Sequence, residues 1–195
     1  IFVLSVSYTM SRMRFNMSKP FMNVAMILGL FPSFMSMIAV YYILKALGLA
    51  EGSMIRVALI VVFSAGSGVG FYVAKGFFDT IPKALDEAAI IDGATRWQVI
   101  TKITAPLSKP IIVYTILTSF MGPWVDFIFA KVICRADAQY YTVSIGLWKM
   151  LEKEYIDSWY TCFAAGAVVV SIPIAILFLL TQKFYVDGMS GAVKG

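Results

Sequence analysis

Histidine is absent from the 195 residues. That removes imidazole acid–base catalysis and most zinc sites. No Gly-x-x-x-x-Gly-Lys-Ser/Thr string occurs, so the chain carries no phosphate-cradling loop of its own. Gly-x-Ser-x-Gly is missing too. An enzyme reading therefore has no constellation of residues to stand on. Charge is scarce as well: 14% of residues are charged, where a soluble domain has about 25%. Two cysteines, Cys134 and Cys162, permit one disulfide, but neither spacing nor context demands it. Cys162 reads as a packed thiol.

What fills the chain is apolar. Sixty per cent of residues are hydrophobic, and they fall in blocks. Pro20–Leu44, Val57–Ala74 and Ser158–Gln182 are long apolar runs, and Pro110–Ala130 is a fourth, broken only by Asp126. Each approaches the ~20 residues a helix needs to cross ~30 Å of hydrocarbon. Four buried core helices of a soluble protein would require a large polar shell, which this composition cannot supply. An all-α integral membrane protein is expected. The chain opens without Met inside a fifth, shorter run, Ile1–Met10. It reads as the tail of a span whose beginning is absent. No basic region precedes it and no small-residue cleavage pattern follows, so it is not a signal peptide. The expected order is a span tail at 1–11, spans at 20–46, 54–75, 107–130 and 158–183, a cytoplasmic loop at 76–106, an outer loop at 131–157 and a cytoplasmic tail at 184–195.

Lys and Arg in the short loops set the orientation. With residues 76–106 in the cytoplasm, the inner segments hold Arg12, Arg14, Lys19, Lys75, Lys83, Arg96, Lys102, Lys109, Lys183 and Lys194. The outer segments hold Lys45, Arg56, Lys131, Arg135, Lys149 and Lys153. The net charge of +5 then belongs to a basic inner face beside anionic lipid. It is no sign of nucleic acid, because the basic residues are scattered among spans rather than gathered in a patch.

The 76–106 loop is more ordered than a connector needs to be. Thr80 is a plausible cap and Pro82 suits a first helical turn. Lys83 and Glu87 are four apart and share a face. Ala84, Ala88 and Ala89 keep the surface shallow. Gly93 stands where a helix commonly ends on a left-handed residue. Thr95-Arg96-Trp97-Gln98 reads as a capping box opening a second helix. That helix should carry Trp97, Ile100 and Ile103 on one stripe and stop before Pro106. The plain account is an amphipathic connector on the membrane; the sharper one is a docking surface for another protein.

The complete string decides between them. Glu87, Ala88, Ala89, then Gly93, Ile103 and Pro106, set between two apolar runs, resembles the EAA loop of ABC-type importer permeases. One departure is Ala105, where that family usually has Leu. Other segments resemble one branch, the maltose- and maltodextrin-type importers, and within it the G-type partner of the permease pair. They are Ser7-Tyr8-Thr9-Met10-Ser11-Arg12-Met13-Arg14-Phe15, Phe31-Pro32, Lys75-Gly76-Phe77-Phe78 and Gly191-Ala192-Val193-Lys194-Gly195.

The resemblance implies a polytopic helical bundle of the type I importer kind, with the N-terminal span or spans missing here. It implies residence in a bacterial or archaeal cytoplasmic membrane. It also implies a second, different permease chain, two cytoplasmic ATPase subunits and an extracellular sugar-binding protein. ATP and magnesium would sit on the ATPase, and none in this chain. Asp86, Glu87, Ala88, Ala89, Asp92, Gly93 and Ala94 would form the ATPase-docking segment. Gly191 to Gly195 would reach between the two ATPase subunits. The cargo would be an oligosaccharide of maltodextrin type. A galacto-oligosaccharide or polyol, or a sensor or channel that does not pump, are the other readings.

Several features stay open on sequence. Pro32, Pro123 and Pro173 interrupt spans and mark kinks or a transport path. Ala65-Gly66-Ser67-Gly68-Val69-Gly70 is glycine-rich but mid-span; Gly66 and Gly70 give a small-residue face for close helix packing. Asp126, within Pro123-Trp124-Val125-Asp126, stands where many sugar permeases have Trp-Asn-Glu. It reads either as an acceptor in the sugar path or as a carboxylate tying helices near the outer surface. Its position near the span's outer end favours the second. In the outer loop Tyr140, Tyr141, Trp148 and Tyr155 could stack on sugar, whereas Trp159 and Tyr160 abut a span as interfacial anchors do.

Overall fold

The computed structural model describes residues 1–13, 16–65, 68–135 and 137–192, without the side chains of residue 33 and of 185–192. Among them all regular structure is helical. In chain order the helices are α1 (Phe2–Arg12), α2 (Ser18–Leu30), α3 (Ser33–Ala46), α4 (Met54–Ala65), α5 (Gly68–Thr80) and α6 (Lys83–Ile91). Then come α7 (Arg96–Val99), α8 (Ala105–Leu107), α9 (Lys109–Val125), α10 (Ile128–Cys134), α11 (Val143–Lys149) and α12 (Ile156–Ala192). Two stretches, Met54–Thr80 and Ile156–Phe184, are long and apolar enough to cross a membrane. The number rises to four if α2 with α3, and the 96–107 segment with α9, each count as one bent span. None of the apolar stretch of α12 is buried. A helix so bare satisfies its backbone internally and can face lipid.

The chain forms two compact units. The first comprises Ile1–Leu30, Ala65–Leu117 and Thr181–Gly195. In it α1 and α2 both pack on α5. The α2–α5 approach falls at Gly68, whose missing Cβ would lie 1.8 Å from the carbonyl oxygen of Ala25. Gly29 lines the same crossing. The close-packing position is thus Gly68, two residues from Gly70 and so on roughly the opposite side of the helix from the expected face; Gly66 lies outside the described residues. Along α1 the side facing α5 is small and polar. Ser7 and Ser11 are buried; Ser7 donates to the Phe71 carbonyl at 3.1 Å and Ser11 to Asp79 at 2.6 Å. Phe2 on Phe71 and Tyr8 on Phe78 add edge-to-face ring contacts.

The second unit comprises Phe31–Ser64 and Thr118–Leu180. Its core gathers Leu44, Ala50, Ile55, Ala58, Ala130, Ile133, Cys134 and Ile145. Cations of this unit rest on rings: Arg56 on Tyr140, Arg135 on Tyr41, Lys149 on Tyr141, and Lys131 on both Phe127 and Trp148. Of the aromatics in residues 131–157, Tyr140, Tyr141 and Trp148 are therefore already engaged by cations. Both cysteines are free thiols. Cys134 is the packed one, donating to the Tyr140 carbonyl at 3.1 Å. Burial, and then the charge of Asp137, pushes its thiol pKa up. Cys162 is exposed, contrary to the expectation of a packed thiol.

Candidate functional site: the elbow at α6 and α7

The elbow belongs wholly to the first unit. Thr80 closes α5 rather than capping α6: its hydroxyl donates back to the Phe77 carbonyl at 2.7 Å. Pro82, at φ −58° and ψ 128°, turns the chain and occupies the cap position of α6 with no side-chain bond. A proline suits that place, because the first turn has no acceptor for its missing donor.

The far end of α6 closes as a Schellman motif. The Ala94 amide donates to the Ala89 carbonyl at 2.9 Å, and the Gly93 amide to Ile90 at 3.0 Å. Gly93 sits at φ 86°, a conformation that costs any residue with a Cβ. The capping box follows. Gln98 N–H donates to the Thr95 hydroxyl at 3.3 Å, and Thr95 N–H donates to the Gln98 side chain at 2.7 Å. Both helix ends at the corner are thus satisfied locally.

Beyond α7 the chain departs from expectation. It does not stop before Pro106. A π turn, Ile100–Thr104, carries it into α8, and the break comes at Ser108, where α9 leaves at 81°. The π turn ends one helical register and α8 starts another, so Pro106 stands in a first turn that needs no donor. The buried stripe is Val99, Thr104 and Ser108, while Trp97 points outward.

The elbow therefore has two faces. Outward lie Leu85, Glu87, Ala88, Ile90, Asp92 and Gly93, with Ile91 85% and Trp97 71% exposed. Ala94 is half-buried. Large apolar side chains this bare on one capped corner are of the kind that marks a protein contact. Inward lie Ala89, which is buried, and Asp86. Asp86 is turned away from the outer surface and pairs with Arg12 Nε at 3.2 Å. Arg12 is nearly buried and also donates to the Ile81 carbonyl at 3.0 Å. Beside this junction runs a cleft of about 530 Å³, bordered by Tyr8, Lys83, Glu87 and Arg96.

Of the other sequence-named residues, Pro123, Trp124 and Asp126 belong to the second unit. Pro123 is inside α9. In the second unit, Trp124 donates its indole N–H to the Val170 carbonyl at 3.2 Å and accepts from Ser144 at its own carbonyl at 2.7 Å. Its ring stacks on Phe120. Asp126 accepts from the Ala130 amide at 2.8 Å, across the first turn of α10. Gly191 and Ala192 close the backbone of α12; Val193, Lys194 and Gly195 lie outside the described residues. Arg12 was legible only as a basic residue at a span end. A clue was available in Asp86, an acid in the first turn of α6 that could serve a cation at the end of another helix.

Known proteins resemble this chain over almost all of its length. Residues 3–190 match the family described as binding-protein-dependent transport system inner membrane component. The galactooligosaccharides transport system permease protein GanQ of Bacillus subtilis is 34% identical over 195 residues, covering 99% of this chain and 67% of that protein. The maltose/maltodextrin transport system permease protein MalG is 33% identical in both Salmonella typhimurium and Escherichia coli K12, covering 97% of this chain and 64% of theirs. The chain thus spans about two thirds of the length of these relatives. Its helices, its apolar runs and this match agree: the chain belongs to the binding-protein-dependent inner membrane transport family, the permeases of ABC-type importers.

Proposed function

We propose that this chain is a membrane-spanning permease subunit of an ATP-driven oligosaccharide importer, and that α6 with its capped corner is where a separate cytoplasmic ATPase grips it. One observation supports the reading: a corner closed at both helix ends, anchored beneath by Arg12, that leaves Ile91 and Trp97 bare and Glu87 exposed. Exposure of that much apolar surface is unfavourable in water and is relieved when a partner covers it. The partner holds ATP and magnesium. Its closure on nucleotide carries the elbow with it, and the spans rearrange from inward-shut to outward-open, so that sugar leaves its binding protein. Hydrolysis resets the cycle. Coupling of this kind requires an element with two arrangements that both sites bias.

The assembly is a pair of unlike permeases with two ATPase subunits and an extracellular sugar-binding protein, in a bacterial or archaeal cytoplasmic membrane that the chain crosses several times. The C-terminal segment from Gly191 to Gly195 reaches between the ATPase subunits. The cargo is an oligosaccharide of maltodextrin type. A galacto-oligosaccharide is the second reading, and the 34% identity to GanQ favours it as much as the 33% to MalG favours the first. Proteoliposomes holding the full complex test the proposal. Sugar uptake should require both ATP and the binding protein; uptake that continues without ATP would make the protein a channel. Direct binding measurements on the cognate receptor would identify the cargo.

A further inference from the structure

Four polar contacts between distant segments of the first unit lie on one line. Ser7 reaches the Phe71 carbonyl, Ser11 reaches Asp79, and Arg12 reaches the Ile81 carbonyl and then Asp86. The line starts on α1, runs along α5, crosses the connector and ends in the first turn of α6. Each step is a short polar contact from a buried or nearly buried side chain of α1. Arg12 does the most: one guanidinium donates to a connector carbonyl and lies 3.2 Å from the carboxylate of the docking helix as its ion-pair partner. Its place suits it, because it closes the last turn of α1, where a cation complements the helix dipole, while Asp86 complements the opposite end of α6.

We infer that Arg12 is a positioning residue for transport. It joins α1 to α6, so that α1, α5 and the docking helix move as one rigid body when the ATPase moves the elbow. This rests on the proposed docking of α6, and it adds the span that receives the motion. Ordinary packing between α1 and α5 would fix those two helices together. It would not fix α6, which follows a proline turn and could pivot at residues 81–82. Arg12, bonded to the Ile81 carbonyl and ion-paired with Asp86, spans that pivot and restricts it.

Two experiments on the assembled transporter in proteoliposomes test this. Arg12→Gln should still co-purify with the ATPase. Sugar moved per ATP hydrolysed should fall by roughly 5- to 150-fold, the range of a coupling free energy between linked sites. Arg12→Lys keeps a charge for Asp86 but replaces the planar guanidinium that reaches the Ile81 carbonyl, so it should recover only part of the ratio. A merely structural role would lower the amount of complex and leave that ratio unchanged. The second experiment needs no change at Arg12. In a Cys134→Ser, Cys162→Ser background, Met13→Cys and Lys83→Cys, which border one cleft, are joined by a short bifunctional maleimide. Bodies that move together tolerate the link, so ATP-driven uptake should persist. Loss of uptake on linking, or a wild-type coupling ratio in Arg12→Gln, overturns the inference. Failure of the unmodified complex to show ATP-driven uptake would instead overturn the transport reading beneath it.

Discussion

Replacing Gly93 separates backbone strain from surface contact. Its φ of 86° lies in the left-handed region, which costs an L-residue roughly 1–2 kcal/mol, and up to about 3 kcal/mol where strain is greatest. A Cβ built there meets nothing within 4 Å. In the isolated permease the cost is therefore conformational, and side-chain bulk adds nothing. Asn tolerates this conformation, Ala does so poorly, and a β-branched residue worst. Destabilisation should rank Asn below Ala below Val, although Asn is larger than Ala. At about 1–2 kcal/mol the closed corner loses a factor of roughly 5–30 in population. Thermal unfolding of the purified permease gives the strain ranking. Co-purification of the ATPase and its stimulation by the loaded binding protein report the docking. Gly93→Val should lose both, and Gly93→Asn should keep the fold. An Asn variant less stable than the Ala variant would mean that bulk, not φ, sets the cost. A Val variant with wild-type melting and full stimulated ATPase activity would refute the stiff corner altogether.

Four further outcomes follow from the same geometry. Glu87→Lys reverses an exposed charge without touching the corner, so melting should be unchanged while ATPase co-purification drops; undiminished co-purification would place Glu87 outside the contact. Thr95→Ala removes one half of the capping box and should cost about 1 kcal/mol in thermal stability, recovered in large part by Thr95→Ser. Gly68→Ala drives a Cβ into the Ala25 backbone and should reduce folded yield sharply, since neither backbone can move aside cheaply; normal yield would show that α2 and α5 do not approach there. Replacing both members of the buried pair, Arg12→Met with Asp86→Leu, should leave melting near or above wild type, because apolar substitutes for buried pairs are often neutral or stabilising. Asp86→Ala alone should melt below that double variant, because it leaves the Arg12 charge without its ion-pair partner.

The parts legible in the sequence are those whose cause is local. Gly93 and Thr95 announce the corner because a left-handed stop and a capping box are defined over a few residues. The apolar runs announce the helices because burial in lipid acts on every residue of a run. Thr80 was misleading for a local reason too: its hydroxyl could serve the next helix or the preceding turn, and it bonds back to Phe77. Pro106 ends an α-helix by rule, but the π turn before it had already shifted the hydrogen-bond register. Contacts between distant segments left almost no trace. Arg12 reads as one more inner-face cation, and only the packing of α1 on α5 brings it to Asp86. The assignment of the packed thiol to Cys162 failed similarly. A cysteine within an apolar run looks buried, yet its stretch of α12 turns outward while Cys134 enters the core of the second unit.

The polar line from Ser7 to Asp86 is a poor way to gain stability and a good way to fix geometry. Hydrogen bonds exchanged for bonds to water contribute only about 1 kcal/mol each, and a buried ion pair can contribute nothing net. Leucine and valine at those positions of α1 would bury more apolar surface. Apolar side chains, however, slide: several rotations of α1 against α5 would bury similar area. A serine that must meet the Phe71 carbonyl, and a guanidinium that must meet the Ile81 carbonyl and Asp86 together, admit one rotation and one height. The outer face of the elbow has the opposite character, with Ile91 and Trp97 bare and Glu87 exposed. Apolar surface gives affinity for a partner without dictating every angle. On the proposed docking, a part that passes displacement from a partner into a membrane span needs adhesion on one side and fixed register on the other. The residues of the elbow divide along that line.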